Sequence, residues 1–146
     1  MMDFMQQAIS VARVGFSCGE VPVGAIVVYN GEVISYAHNL VEANNDPTAH
    51  AEILAIRLAC EKLNSPRLIK CDLFVTLEPC AMCAAAISFA RIKRLYFGAY
   101  DQKGGAVENG VRFFSQKTCH HKLEIYGGIY ENESSSLLKS FFRKQK

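Results

Sequence analysis

Apolar residues along the chain follow two patterns, a helical spacing and short continuous runs. One stripe near the N-terminus recurs about every 3.6 residues: Phe4, Met5, Ala8, Ile9, Ala12 and Phe16. It predicts a helix over residues 2–17. Residues 22–28 form an almost continuous apolar run, which is typical of a strand covered on both faces. Asn30-Gly31 then predicts a two-residue hairpin turn, after which residues 32–37 return antiparallel.

Beyond a polar loop over residues 39–45, helical patterns alternate with apolar strands. The predicted helices cover residues 48–63, 80–90 and 133–144, with a single helical turn within 110–115. The predicted strands cover residues 71–77, 95–99 and 123–126. Residues 101–110 contain three glycines and are predicted to be a loop. Strands that alternate with helices indicate an α/β layer structure.

Composition is that of an ordinary globular protein, with half of the residues hydrophobic and 21% charged. We expect residues 1–146 to form one domain, which can bury roughly 68–70% of its unfolded surface. The net charge of +2 does not by itself demand a nucleic-acid partner.

The N-terminus has no basic or apolar region of secretory type, and no apolar run approaches roughly 18 residues. We therefore expect a cytoplasmic protein without a membrane span. The six cysteines then argue against a disulfide framework. Four of the six cysteines lie outside any recognisable motif: Cys18, Cys60, Cys71 and Cys119.

Two short motifs bring metal-binding chemistry into the chain. His50 and Glu52 lie two positions apart, and the pair Cys80 and Cys83 follows 30 positions after the histidine. One imidazole and two thiolates suit zinc. A structural zinc site closes its shell with four protein ligands, whereas a catalytic site keeps three and leaves a position for water. Because Glu52 is not needed as a ligand, the set indicates a catalytic site.

The spacing of the two cysteines predicts that they share one face of a helix, since residues three apart are neighbours there. Pro79 fits the first turn of that helix, where its missing N–H costs nothing. Cys80 and Cys83 would then lie at a helix N-terminus, where the dipole lowers the pKa of a thiol and favours the thiolate.

His50 and Glu52 do not face each other along a helix, because they are only two positions apart. They can approach one metal ion only if it lies over the end of their helix. Asp46 or Thr48 is the predicted N-cap of that helix. Two helix N-termini would thus converge on one zinc ion.

The two motifs together are the known signature of zinc-dependent base deaminases, H-x-E followed by P-C-x-x-C. The likeness extends over nearly the whole chain. Five segments resemble bacterial tRNA adenosine deaminases: residues 20–24, 46–52, 75–83, 97–106 and 141–143. Tyr100 and Gly104 depart from the family pattern, which leaves the fine contacts to the anticodon loop open.

The resemblance implies a three-layer αβα sandwich with a five-stranded mixed sheet, the cytidine deaminase fold. It also implies one zinc ion per chain and conversion of adenosine to inosine at the wobble position of tRNA anticodons. Residues 81–86 are rich in alanine, and the family uses this region at a dimer interface. We therefore expect a homodimer with tRNA as its partner and with the RNA crossing the interface.

Roles for individual residues follow from the same likeness. Glu52 is the expected general acid and base, and burial should raise its pKa. Asn39 alone would be interpreted as a loop asparagine, but the corresponding family residue binds the flipped base. The backbone around Ala51 and Glu52, at a helix N-terminus, is expected from geometry rather than from the likeness to hold the edge of the base. Further substrate contacts are expected from Asp101, Phe142 and Arg143.

Basic residues form two clusters that could track phosphates on either side of the zinc pocket. The first follows the third predicted helix: Arg91, Lys93 and Arg94. The second occupies the C-terminal tail: Lys139, Arg143, Lys144 and Lys146.

Three alternatives remain open at this stage. A free-base deaminase for cytosine or guanine would resemble the same zinc motif. A thioredoxin-like redox protein also places C-x-x-C after a strand, but its fold has a proline downstream of the motif and none follows here. A non-catalytic zinc-bound RNA-binding module would need a fourth ligand, for which the candidates are His38, Cys71, His120 and His121.

Overall fold

A five-stranded mixed sheet forms the centre of the protein, which is described over residues 3–144 in a computed structural model. The strands are β1 (Gly24–Tyr29), β2 (Glu32–His38), β3 (Cys71–Leu77), β4 (Arg94–Ala99) and β5 (Glu124–Tyr126). Their order across the sheet is β2-β1-β3-β4-β5. β1 pairs antiparallel with β2 and β3, whereas β3, β4 and β5 are parallel. The predicted mixed sheet is confirmed.

Helices cover both faces of this sheet. They are α1 (Phe4–Ser17), α2 (Val41–Asn44), α3 (Ala51–Leu63), α4 (Ala81–Phe89) and α5 (Glu131–Lys144), with a short 3-10 helix at Phe113–Ser115. α3 and α4 pack against each other on one face, and α1 lies on the opposite face with α5 against it. The predicted three-layer αβα sandwich is therefore confirmed.

The core divides by the alternation of side chains along the strands. One set of strand residues points toward α3 and α4: Ala25, Val27, Leu73, Val75, Leu95 and Phe97. The residues between them point the other way, and α1 covers Ile26 and Val28 with Met5 and Ile9. Because β1 is buried on both faces, its sequence is a continuous apolar run, as the sequence pattern indicates.

The first helix begins later than the sequence pattern suggests. Asp3 is its N-cap, and the side chains of Asp3 and Gln6 each accept a hydrogen bond from the backbone N–H of the other. This capping box fixes the start of α1 at Phe4. Residue 2, where the helix was predicted to begin, and Lys146 of the tail lie outside the described residues.

The predicted starts of the two metal-binding helices are wrong. The Asp46 carboxylate accepts hydrogen bonds from the N–H and the hydroxyl of Thr48, so both side chains are committed to a local turn. α3 begins only at Ala51, with His50 in the extended N-cap position. In the same way Cys80 is the N-cap of α4, and Pro79 lies outside the helix rather than in its first turn.

Two smaller differences concern the loops. The predicted polar loop over residues 39–45 contains α2, because the Glu20 carboxylate accepts the N–H groups of Glu42 and Ala43 at the start of that helix. α5 begins at Glu131, two residues before the predicted start at 133. Across residues 3–144, a helix with both the length and the apolar character to cross a bilayer is not found.

Candidate active site and metal centre

The N-terminal ends of α3 and α4 meet at the carboxyl end of β3. The N-caps of the two helices are His50 and Cys80, and Cys83 lies one turn into α4. His50 Nδ1 is 3.7 Å from Cys80 Sγ and 3.5 Å from Cys83 Sγ. The three ligand atoms all lie within 4.8 Å of one another. The structure thus brings the predicted metal ligands together.

These distances fit a zinc ion. Zinc–sulfur and zinc–nitrogen bonds of about 2.3 and 2.0–2.1 Å at a tetrahedral angle separate the two ligand atoms by about 3.5 Å. The observed separations of 3.5 and 3.7 Å from His50 Nδ1 therefore need almost no rearrangement to accept the ion. A group of one imidazole and two thiols can bind a metal at this position.

None of the four candidates for a fourth ligand joins the group within residues 3–144. His38 Nδ1 pairs with the Asn39 carbonyl at 2.9 Å, and His121 Nε2 with the Ile92 carbonyl at 2.6 Å. Cys71 begins β3, roughly 20 Å along the strand from its end at Leu77. His120 is likewise not a member. The shell has three protein ligands in the described part of the chain, as a catalytic zinc site requires.

Glu52 lies in the first turn of α3, beside the metal-binding group. Its side chain is buried, with 4% of the residue exposed, and it lines the same cavity as His50 and Cys80. Burial raises the pKa of Glu52 to about 7. This is the direction expected from the sequence. A carboxyl group with such a pKa can both accept and release a proton near neutral pH.

The two thiols differ in acidity. The Cys83 thiol and the His50 ring hydrogen-bond to Cys80, and the first of these bonds contributes most to lowering the pKa of Cys80 to about 4. The same bond, together with burial, raises the pKa of Cys83. The hydrogen bond to Cys80 also raises the pKa of His50. The group therefore holds a thiolate at neutral pH, and thiolate is the form that binds metals.

A cavity of about 1060 Å³ opens above the metal-binding group. Asn39 and Glu52 lie at the metal-binding end of its lining, Asp101 is on the loop after β4, and Phe142 comes from α5. Three predicted substrate contacts, Asn39, Asp101 and Phe142, thus line one space. Arg143 is not part of this lining; its side chain is exposed and its Nε donates to the Lys139 carbonyl at 3.4 Å.

Asn39 and Ala51 are linked directly. The Asn39 side-chain oxygen accepts the backbone N–H of Ala51 at 2.8 Å, in a buried hydrogen bond. This bond fixes the Asn39 side chain against the start of α3. It also commits the Ala51 N–H within the protein, so that this group does not face the cavity.

The basic cluster of Arg91, Lys93 and Arg94 does not flank the pocket of its own chain. The prediction that this cluster lies beside that pocket is therefore wrong. Arg94 begins β4 and the cavity-lining Ala99 ends it, roughly 16 Å away along the strand. The Arg94 guanidinium pairs instead with Asp72 at 3.6 Å and Glu124 at 3.5 Å. α4 leads away from the metal-binding group, so the residues that follow it emerge at the opposite end of the sheet.

Among residues 3–144, two lysines line the cavity in place of that cluster. Lys139 belongs to the predicted tail cluster, whereas Lys103 was not among the predicted basic residues. Lys144, also from the tail, lies over the Phe16 ring at 5.1 Å and helps to hold the end of α5 against α1.

Sequence reasoning also missed two buried carboxylates that line the cavity, Glu20 and Glu78. Glu20 holds the start of α2, as described above. Glu78 accepts hydrogen bonds from residues of the loop that follows β4. The available signal was an acidic residue directly beside an apolar run. Once the strand is buried, such a carboxylate needs hydrogen-bond donors inside the protein.

Fold and site together place the protein in the class of nucleobase deaminases, which combine a three-ligand metal group with a carboxylate that is not a ligand. The MafB19-like deaminase family model matches residues 1–146. The tRNA-specific adenosine deaminase of Agrobacterium fabrum is 57% identical over 143 residues, covering 98% of this chain and 94% of the relative. The chain belongs to the bacterial tRNA-specific adenosine deaminase family.

Solved structures agree with this assignment. One, from work titled as a study of A-to-I editing by tRNA:A34 deaminases, matches with a TM-score of 0.91 and 58% identity, covering 92% of this chain and 98% of the other. A guanine deaminase of Bacillus subtilis matches with a TM-score of 0.66 and 31% identity, covering 97% and 95%. The thioredoxin-like alternative is therefore wrong.

Proposed function

We propose that this protein hydrolyses adenosine to inosine at the wobble position of a tRNA anticodon, with residues 1–146 acting as one zinc-dependent domain in the cytoplasm. The observation that carries the proposal is buried Glu52 beside three metal ligands at an open cavity. The relative from Agrobacterium fabrum, 57% identical, is named a tRNA-specific adenosine deaminase, and this name supports the choice of tRNA adenosine as the substrate.

His50, Cys80 and Cys83 are the residues that would hold the zinc ion. Bound zinc supplies a water whose pKa is lowered to about 7. Within the protein, the two helix N-caps and the first turn of α4 carry the three ligand residues. The donor set and its spacing both suit zinc better than magnesium or calcium, which prefer oxygen ligands.

Glu52 carries the proton transfers. Its carboxylate accepts a proton from the attacking water and delivers it to the ring nitrogen next to C6 of adenine. It later takes the proton of the hydroxyl group now on C6 and passes it to the amine, so that the C6–N bond breaks, ammonia leaves and a carbonyl remains. These opposite tasks need a pKa close to neutrality, and burial gives Glu52 a pKa of about 7.

Recognition of the base falls to the cavity lining. The side-chain oxygen of Asn39 is committed to Ala51, so its amide nitrogen is the group left to donate to an acceptor on the base. The contact expected from Ala51 must then use a backbone group other than its N–H. Phe142, 52% exposed at the cavity, offers a ring on which an extruded base or its neighbour can stack.

The second candidate function is deamination of a free base. The likeness to the Bacillus subtilis guanine deaminase favours it, since the two chains match over nearly their whole lengths. The cavity favours the tRNA substrate, because it is open and two lysines, Lys103 and Lys139, line it. Such cations have no partner on a neutral free base, whereas they can contact the phosphates on either side of a flipped nucleotide.

The substrate prediction compares tRNA carrying a wobble adenosine with free adenine, cytosine and guanine at matched salt. We expect inosine in the tRNA and negligible turnover of the bases. If about four phosphates are contacted, the slope of log binding constant against log salt is roughly −3. Rapid turnover of a free base without inosine in tRNA would refute the tRNA function and leave only the deaminase class.

The oligomeric prediction concerns α4. Phe89, at the end of this helix, is 76% exposed, and Ala81 at its start is exposed as well. An exposed phenylalanine beside small residues suits a helix-mediated dimer interface. We expect sedimentation at micromolar concentration to show a dimer that Phe89→Asp weakens, while Phe89→Leu keeps it. A monomer with intact activity would reject the dimer and any RNA binding across it.

A further inference from the structure

Glu78 connects the metal-binding helix to a wall of the cavity. It follows the last residue of β3 and precedes Pro79 and the metal ligand Cys80. The side chain is almost fully buried, at 2% exposure. Within the described part of the chain, its carboxylate has five hydrogen-bond donors, and all of them belong to residues 101–109, the loop that follows β4.

Both carboxylate oxygens of Glu78 are saturated by donors. Oε1 accepts from Asp101 N at 3.0 Å and Asn109 Nδ2 at 2.7 Å. Oε2 accepts from the backbone N–H groups of Val107, Glu108 and Asn109 at 3.1, 2.8 and 3.0 Å. All five partners are N–H groups, so both oxygens of Glu78 act as acceptors, as the two oxygens of an ionised carboxylate do.

The loop that Glu78 holds forms part of the cavity wall. Asp101, Lys103 and Gly104 line the cavity, while the three backbone N–H groups bound to Oε2 anchor the far end of the loop. The next residue in the chain reinforces the link, because the Pro79 carbonyl accepts the Ala106 N–H at 2.9 Å. Residues 78 and 79 thus tie the wall to Cys80.

Close packing at Gly105 shows that the position of the loop is tightly set. A Cβ atom on Gly105 would lie 2.5 Å from Glu78 Cδ and 2.5 Å from the Asp101 carbonyl oxygen. Real Cβ atoms do not approach other atoms so closely. Only glycine lets the backbone reach the carboxylate here.

We propose that Glu78 is a positioning residue. Its negative charge holds residues 101–109 in the position in which Asp101 and Lys103 line the cavity and can contact the substrate. The role requires charge and not only shape. Glu78 does not touch the reacting atoms, and its effect passes through the loop. The activity readout of this proposal rests on the proposed tRNA deamination.

Glu78→Gln tests the charge requirement, because glutamine has the same shape but replaces one acceptor oxygen by an NH₂ donor. In either orientation that NH₂ faces at least two of the five donors. We expect faster hydrogen exchange at the amides of Val107, Glu108 and Asn109. We also expect the KM for tRNA to rise by about 10- to 100-fold, with kcat within about threefold and zinc retained.

Glu108→Gln is the matched control, since it also replaces a glutamate by glutamine, but at an exposed side chain of the loop that Glu78 holds. It should match the unmodified protein in exchange, zinc content and KM. Gly105→Ala is a second, independent variant that displaces the loop from Glu78 without changing any charge, and it should raise KM in the same way.

The readouts separate the two proposals. Unchanged amide exchange in Glu78→Gln would overturn the positioning role even in a protein that does not deaminate tRNA. Faster exchange with unchanged KM would overturn it as well, as would parallel losses of zinc, kcat and stability, which mark a merely structural residue. Absence of inosine formation by the unmodified protein would refute the proposed function, while the exchange rates still decide the role of Glu78.

Discussion

Glu52→Gln is expected to lower the rate of inosine formation by about 10²- to 10⁴-fold or more, with zinc content and fold unchanged. Glutamine has the size of the carboxyl group but can neither accept the proton from water nor return it to the amine. Glu52 serves more than one transfer in the proposed reaction, which places the loss toward the upper end. Burial of a neutral amide in place of a carboxyl group whose pKa is about 7 costs little stability.

Single-turnover rates separate this chemical defect from a binding defect. The KM for tRNA should stay within a few-fold, because Glu52 holds protons rather than the RNA. Glu61→Gln is the control, since it makes the same change on an exposed residue of the same helix and should keep full activity. A Glu52→Gln protein with the rate of the unmodified enzyme would remove Glu52 from the mechanism.

Elements and metal ligands were predictable because their signals are local. The continuous apolar run of β1 and the helical stripe of α1 depend only on neighbours in the chain, and both elements form close to their predicted bounds. Residue type and spacing are enough to identify the metal ligands His50, Cys80 and Cys83. Ligand chemistry allows few residue types, so the site could be predicted without knowledge of the fold.

The failures have physical causes that a linear pattern does not contain. Asp46 is a residue type that often caps helices, but its carboxylate accepts hydrogen bonds from Thr48, two residues away. It therefore does not cap α3. The partners of Glu78 lie 23 to 31 positions away, so its role emerges only when β3 and β4 pair. The position of Arg94 relative to the cavity also depends on the topology, because Arg94 and the cavity-lining Ala99 lie at opposite ends of β4.

Cys83→Ala is expected to remove most of the zinc and nearly all of the activity. Cys83 is the fully buried ligand, and its loss leaves only His50 and Cys80. Changes to residues that merely support a metal ligand weaken binding by about 10- to 100-fold, so the loss of a direct ligand should exceed about 100-fold. Elemental analysis of the purified protein measures the loss, and an inosine assay on the same sample relates it to activity.

Cys119→Ala provides the matched control for this prediction. Cys119 is also buried, but its Sγ lies 3.5 Å from Ser88 Oγ and takes no part in the metal-binding group. Both variants remove a buried sulfur, so a general effect of cavity formation would appear in both. We expect zinc loss only in Cys83→Ala. Full zinc occupancy in that variant would contradict the ligand assignment, because two remaining ligands cannot complete the three-ligand shell on which the proposed chemistry depends.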